Sequence, residues 1–178
     1  DAYFDVFVEY AKAAPDDILM QITVVNRGRN EALLHVLPSL WFRNTWGQSF
    51  STDRPAMRLI ASNPTGAVVK IEHSKLGDRF VYSEGNADWL FTDNETNTQR
   101  ILGVPNTAQY VKDGIDDYIL HRRRDAVNPA QCGTKAAANY RFLVRPGESQ
   151  TMRLRMTERT PAQFASAAEV YRDSFGLS

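Results

Sequence analysis

The sequence is short of the features that most directly declare a function. It holds one cysteine, Cys132, so no disulfide can form within the chain and no cysteine-based zinc cluster can be assembled. Its apolar runs fall far short of the roughly 20 residues needed to cross a bilayer, so no membrane span is expected. Charge of one sign is missing too. The 21 Lys and Arg balance the 21 Asp and Glu, and the tight basic run Arg122–Arg124 is followed at once by Asp125. A surface without net charge exerts no general pull on a polyanion, which argues against nucleic acid and against an anionic membrane as partners. His35, His73 and His121 show no metal-ligand spacing. No GxSxG motif surrounds a serine, and Gly133-Thr134-Lys135 lacks the upstream glycine of a phosphate-binding loop. No metal and no cofactor is expected, and the lone cysteine fits a cytoplasmic location.

What is present reads mostly as strand. At 178 residues the chain fits one domain able to bury roughly 70% of its unfolded surface. From Tyr3 to Lys12, Phe4, Val6, Val8 and Tyr10 alternate with Asp5, Phe7 and Glu9, which predicts a half-buried strand. A turn at Pro15-Asp16-Asp17 leads to Ile18–Val25, which closes a hairpin. Glu31–Trp46 is long for a strand, and Pro38 removes a ladder donor. A bend or bulge is therefore expected there, dividing it into Ala32–Leu37 and Leu40–Phe42. Gly47–Pro55 reads as an exposed polar loop, and Met57–Ala61, Ala67–His73, Arg79–Glu84 and Asp88–Thr92 as short strands. Residues 93–131 form a loop-rich insertion, with a short element at Ile115–Leu120. Such an insertion in a compact domain is usually functional or makes an interface. Thr134–Val144 and Ser149–Met156 read as a closing hairpin, and Ala162–Phe175 has helical composition. With many short strands and no helix expected before that tail, the fold class is all-β, an antiparallel β-sandwich, with a closed barrel as the alternative. The start at Asp1, running straight into strand pattern, reads as a piece of a longer protein.

Chemistry concentrates in Leu34–Trp46, LHVLPSLWFRNTW, which mixes core-forming residues with two tryptophans, an arginine and an asparagine. Trp41, Trp46, Trp89 and Tyr110 offer flat aromatic faces on which a sugar could stack; the same residues serve equally at a domain interface or the edge of a core. Arg43 and Asn44 lie between two tryptophans, where a buried guanidinium would need a carboxylate, with Glu95 and Asp113 as the first candidates. Glycoside cleavage in its usual form takes two carboxyl groups, one protonated and one ionised, so Glu95, Asp113, Asp116 and Asp117 raise that question. The adjacent Asp116 and Asp117 read more simply as solvated or turn-forming, and no catalytic pair is assigned. The candidate interface or sugar-contact set is Trp41, Arg43, Asn44, Trp46, Glu95, Asn97, Tyr110, Lys112 and Asp113. His35, inside an apolar strand, reads as a structural histidine.

Taken with YFDVFVEYAKA (Tyr3–Ala13), NRG (Asn26–Gly28), ETN (Glu95–Asn97), YVKDGIDDY (Tyr110–Tyr118) and VNPAQCGTKAA (Val127–Ala137), the LHVLPSLWFRNTW stretch carries a resemblance. The chain resembles the region upstream of the catalytic domain in large bacterial glucosidase-type proteins. Those are related to the mannosyl-oligosaccharide glucosidases of glycoside hydrolase family sixty-three. The resemblance implies a supersandwich of the galactose-mutarotase type over residues 1–158. It further implies a helical linker over residues 159–178, leading to an (α/α)6 toroid that carries the acid and base of an inverting α-glucosidic hydrolysis. Catalytic residues of such families belong to the toroid, so none transfers to this chain. The expected function is a non-catalytic domain that packs on the toroid of the same polypeptide and shapes the rim of its active site. The alternative is an autonomous carbohydrate-binding module. An epimerase of the mutarotase type would need a histidine with a carboxylate companion, which neither His35 nor His73 has in the sequence pattern.

Overall fold

A computed structural model describes residues 2–46 and 53–172. The first two strands, β1 (Phe4–Ala14) and β2 (Asp17–Asn26), form the expected antiparallel hairpin, with Val8 opposite Ile22. The chain then enters β3 (Ala32–Val36) and β4 (Ser39–Trp41), followed by a meander of β5 (Ala56–Asn63), β6 (Gly66–His73) and β7 (Gly77–Glu84). After β8 (Asp88–Thr92) comes the long insertion, then β9 (Cys132–Gly133), β10 (Lys135–Val144) and β11 (Ser149–Thr157). Of the loop expected at Gly47–Pro55, residues 47–52 lie outside the described part.

Two antiparallel sheets result. The larger has seven strands in the order β1-β2-β11-β7-β6-β5-β9. In the smaller, β10 pairs with β3 and β4 along one edge and with β8 along the other, because Lys135 faces both Trp41 and Thr92. Alternation sends Ile22, Val24, Val69, Ile71, Val81, Met152 and Leu154 of the large sheet toward Trp89, Phe91, Ala136, Ala138 and Tyr140 of the small one, in a single buried cluster. The architecture is sandwich-like, as expected. Asn26, 2% exposed, joins the two layers: its Nδ2 donates to Val144 O at 2.8 Å, and its Oδ1 accepts from Gly28 N at 2.8 Å.

Four expectations change. Thr134–Val144 and Ser149–Met156 do not close a hairpin: β10 belongs to the small sheet and β11 to the large one, so the turn between them crosses from layer to layer. Pro38 divides the strand but causes no bulge: Val36 faces Tyr140 and Ser39 faces Ala137, with two residues between on each strand, and Ala138 N donates to Pro38 O. Proline simply takes a position whose carbonyl is used. Next, β1 is not half-buried. It is an edge strand exposed on both faces, with Val6 at 53% and Phe7 at 51%, because the small sheet is too narrow to reach it. Finally, the insertion contains helices, α1 (Thr98–Leu102) and α2 (Gly114–His121), where no helix was expected before the tail. Asn97 caps α1 by accepting from Arg100 N at 3.0 Å. Ile115 and Val127 of the insertion pack with Leu90 and Ala137, covering the outer face of β8 and β10.

The outer face of the large sheet is covered by the chain after β11. Phe164, Val170 and Tyr171 pack on Val68, Phe80 and Tyr82, and a short α3 (Ala167–Arg172) closes the described part of the tail. Tyr82 donates to Arg159 O at 2.8 Å, and burial pushes its hydroxyl up to about 12, against the pull of Arg155 and Arg159. Burial also raises Tyr140 and Tyr171, further still. Above an unfolded tyrosine's ordinary value of 10.0 the folded state keeps protons that the unfolded chain releases. The stabilising contribution is complete below that value and is lost as pH rises toward 12. Thermal melts followed by circular dichroism from about pH 9 upward are expected to show a steep loss of stability beyond pH 10, weaker in Tyr82→Phe.

Candidate functional site

Strands β4 and β8 both leave the small sheet at the same end of β10, so the segment after Trp41 and the insertion after Thr92 emerge side by side. That shared exit is why candidates about 50 residues apart in sequence meet. Asn94 Nδ2 donates to Phe42 O at 2.8 Å and its backbone N to Thr134 Oγ1 at 2.7 Å, which fixes the start of the insertion. Glu95 then receives Trp46 Nε1 at 2.6 Å on one carboxylate oxygen and Asn44 Nδ2 at 3.0 Å on the other. Both oxygens are held by donors of the 44–46 segment.

A second node lies one loop further. Asn97 Nδ2 donates to both oxygens of Asp113, at 3.2 and 3.1 Å, and Arg100 reaches Asp113 at 3.2 Å. Lys112 connects the nodes: its N donates to Glu95 O at 3.0 Å and its Nζ to Thr96 Oγ1 at 3.1 Å. Tyr110, half-buried, contributes its carbonyl, which accepts from Asp93 N at 2.7 Å. Trp41 stands exposed at 57%, opposite Lys135 across β4 and β10.

Two candidates take other places. Arg43 is exposed and makes no ion pair among the described residues; the carboxylates proposed for it are engaged by Asn44, Trp46, Asn97 and Arg100. Trp89 is a core residue, 5% exposed, with its Nε1 on Ser83 Oγ at 3.0 Å. His35 Nδ1 lies 2.8 Å from Asn139 Oδ1, the bonded arrangement of a structural histidine.

Lys135 was not legible as part of this site. Its Nζ donates to Lys112 O at 3.0 Å, and its amine sits below the ordinary value of 10.5 through burial first and Lys112 second, with Asp113 opposing. A lysine held low makes stability rise as pH climbs toward 10.5, the opposite sign to the tyrosines. Its place follows from register, which the sequence alone does not contain: Lys135 opens β10 opposite both Trp41 and Thr92. The absence of metal-ligand spacing at His121 is corrected: once Gly114–His121 is a helix, Asp117 and His121 stand one turn apart on it. With Asp116 they bring ligand-type atoms within 4.8 Å of one another on α2. Asp117 is engaged by Arg123 at 3.3 Å, and exposed acidic groups of this kind are common without an ion.

Glu95 makes a direct test of the site possible. Glu95→Gln removes the charge that Trp46 Nε1 meets at 2.6 Å, and a charge-assisted bond is roughly twice as strong as a neutral one. The expected outcome is an upfield shift and faster exchange of the Trp46 indole N–H resonance, with the Trp89 resonance unmoved.

Fold and site together define a two-sheet antiparallel β domain with a polar, aromatic rim at one end of its smaller sheet. No protein-family model matches the chain. It is 31% identical over 181 aligned residues to the Saccharomyces cerevisiae protein described as uncharacterized protein YMR196W. That match takes in 87% of this chain and 17% of the yeast protein, so the chain spans about a sixth of its relative's length.

Proposed function

We propose that this chain is a non-catalytic β-sandwich domain, of the supersandwich type, within a larger carbohydrate-active polypeptide. That polypeptide is a glycoside hydrolase of α-glucosidase type, and the domain packs its rim on the (α/α)6 catalytic part and helps shape the active-site edge. The observation that carries the reading is the state of the rim carboxylates. Glu95 and Asp113 are each held by donors of the domain itself, as structural carboxylates are, while Trp41 is left exposed at the same end of the small sheet, opposite Lys135. A cleavage site requires one carboxyl poised as an acid and another free to meet water. The match to one part of a much longer protein supports the larger polypeptide.

A second reading draws on Trp41: an exposed indole opposite Lys135 is a platform on which a module could hold sugar by itself. Incubating the 178-residue chain with aryl glucosides and glucose disaccharides tests the preferred reading; clear turnover, lost in Glu95→Gln or Asp113→Asn, would overturn it. Titration calorimetry of the same chain with glucans separates the two. Binding tighter than millimolar that is lost in Trp41→Ala favours the module.

A further inference from the structure

The two layers of the sandwich do not match in width. The large sheet ends at β1 and the small one at β3, and among the described residues nothing pairs with the outer edge of either. On β1, the side chains in register with the buried Ile22 and Val24 are Val8 and Val6, followed by Tyr10 opposite Met20. They continue the core row of β2, yet they stand 47%, 53% and 71% exposed. The interior of the sandwich therefore runs out uncovered over its last strand.

The edge that borders this row is β3. Ala138 N donates to Pro38 O, so that pair is hydrogen bonded, and the alternation of an antiparallel ladder makes Val36–Tyr140 and Leu34–Phe142 bonded pairs as well. The amides of Leu33, His35 and Leu37 therefore point away from β10, toward open space. The start of β3 lies near the start of β1, because Tyr3, Phe4, Glu31 and Ala32 line one crevice. Protective residues are absent from β3 and from the inward row of β1 up to Tyr10; Asp5 and Glu9 lie on the other face of β1, and its register shift falls at the far end, between Lys12 and Ala14. Ala32–Val36 holds no charge and no proline, and the inward row of β1 carries no charge before Lys12. Natural edge strands are ordinarily blunted by such residues.

We infer that β3 receives a further β-strand from outside residues 2–172 of the same polypeptide, an extended segment with apolar side chains at alternate positions that roofs Val6, Val8 and Tyr10. The geometry suits one strand. It would lie about 4.8 Å beyond β3, the same step that separates β1 from β2 in the facing layer. Backbone bonds to β3 supply the register, and alternate side chains extend the existing core. A segment of the same polypeptide is favoured over a second copy because the roof would be continuous with an intramolecular core, and because the relative matched here has most of its length outside the match. The inference rests on the reading of the chain as one domain of a larger polypeptide, but it concerns a surface separate from the Trp41 rim.

Hydrogen exchange read by mass spectrometry, on the 178-residue chain and on the full-length polypeptide that contains it, tests the inference. Peptides covering Leu33–Leu37 and Val6–Tyr10 are expected to exchange about tenfold or more slowly in the full-length protein. Unchanged exchange at both would overturn the inference. So would slow exchange in the isolated chain that depends on its concentration, since that identifies a second copy as the occupant. Slowing confined to the 41–46 and 95–113 peptides would leave the proposed function standing and remove this strand. Slowing confined to β3 and β1 would do the reverse. As a second reading, Val8→Lys is expected to leave the melting temperature of the isolated chain unchanged and to lower that of the full-length protein; equal effects in both would contradict the inference.

Discussion

Replacing Arg155 with methionine is expected to lower the stability of the domain by about 3–5 kcal/mol, the usual effect of removing one partner from a buried ion pair. Arg155 is 4% exposed and Asp17 7%. The guanidinium donates through Nε to Asp17 Oδ1 at 2.7 Å and through Nη2 to Asp17 Oδ2, a two-pronged pairing whose plane suits arginine and not lysine. Its remaining nitrogen, Nη1, donates to Val170 O at 2.8 Å, and its carbon lies 5.0 Å from the Phe164 ring centre. One side chain therefore ties the start of β2 and the middle of β11 to the C-terminal tail. The variant leaves an uncompensated carboxylate under that tail, so urea unfolding and limited proteolysis are expected to change together, with new cleavage between residues 158 and 172. Asp17→Asn combined with Arg155→Met is expected to recover part of the loss, because no unpaired charge remains. A double variant less stable than Arg155→Met would contradict this account of the pair.

Gly133→Ala is expected to cost about 1–3 kcal/mol or more, the range for forcing atoms into filled space. A Cβ there would stand 2.3 Å from Thr92 O and 2.9 Å from Thr92 C. Both are backbone atoms, so no side chain can swing aside; β8 and β9 must separate instead. Thr134 N donates to that same Thr92 carbonyl, and Thr134 Oγ1 accepts from Asn94 N, so the displacement runs directly into the segment that carries Glu95. Beyond lost stability, the Trp46 indole signal is expected to shift as it does in Glu95→Gln. Gly114, where a Cβ would meet Ala126 O at 2.1 Å, is expected to respond to alanine similarly in stability, through α2, but without moving Trp46.

These two sites show what the sequence made legible and what it did not. Strands with clear alternation, such as β6 and the Ile22–Asn26 half of β2, are readable because their period reports burial directly. The same rule misjudged β1, whose Phe4, Val6, Val8 and Tyr10 alternate as core residues do. Whether an opposite layer is present to cover them is a property of sheet width, which local pattern does not contain. Glu95, Asn97 and Asp113 stand out by composition; Glu95 meets Asn44 and Trp46 while Asp113 meets Asn97 and Arg100, and neither carboxylate pairs with Arg43 as expected. Sequence order cannot say which of two adjacent donors faces inward on an irregular segment. Arg155 and Asp17 drew no notice: 138 residues apart, they become neighbours only through the antiparallel pairing of β11 with β2. The glycine at 133 likewise gives no hint of its neighbour until β9 is laid against Thr92.

The proposed function requires that the aromatic rim be covered by the rest of a longer polypeptide. Hydroxyl-radical footprinting of the three tryptophans tests it most directly. In the isolated chain Trp41, 57% exposed, is expected to oxidise fast and Trp89, 5% exposed, slowly. In the full-length polypeptide Trp41 is expected to become as protected as Trp89. Equal, fast oxidation of Trp41 in both forms would contradict the claim.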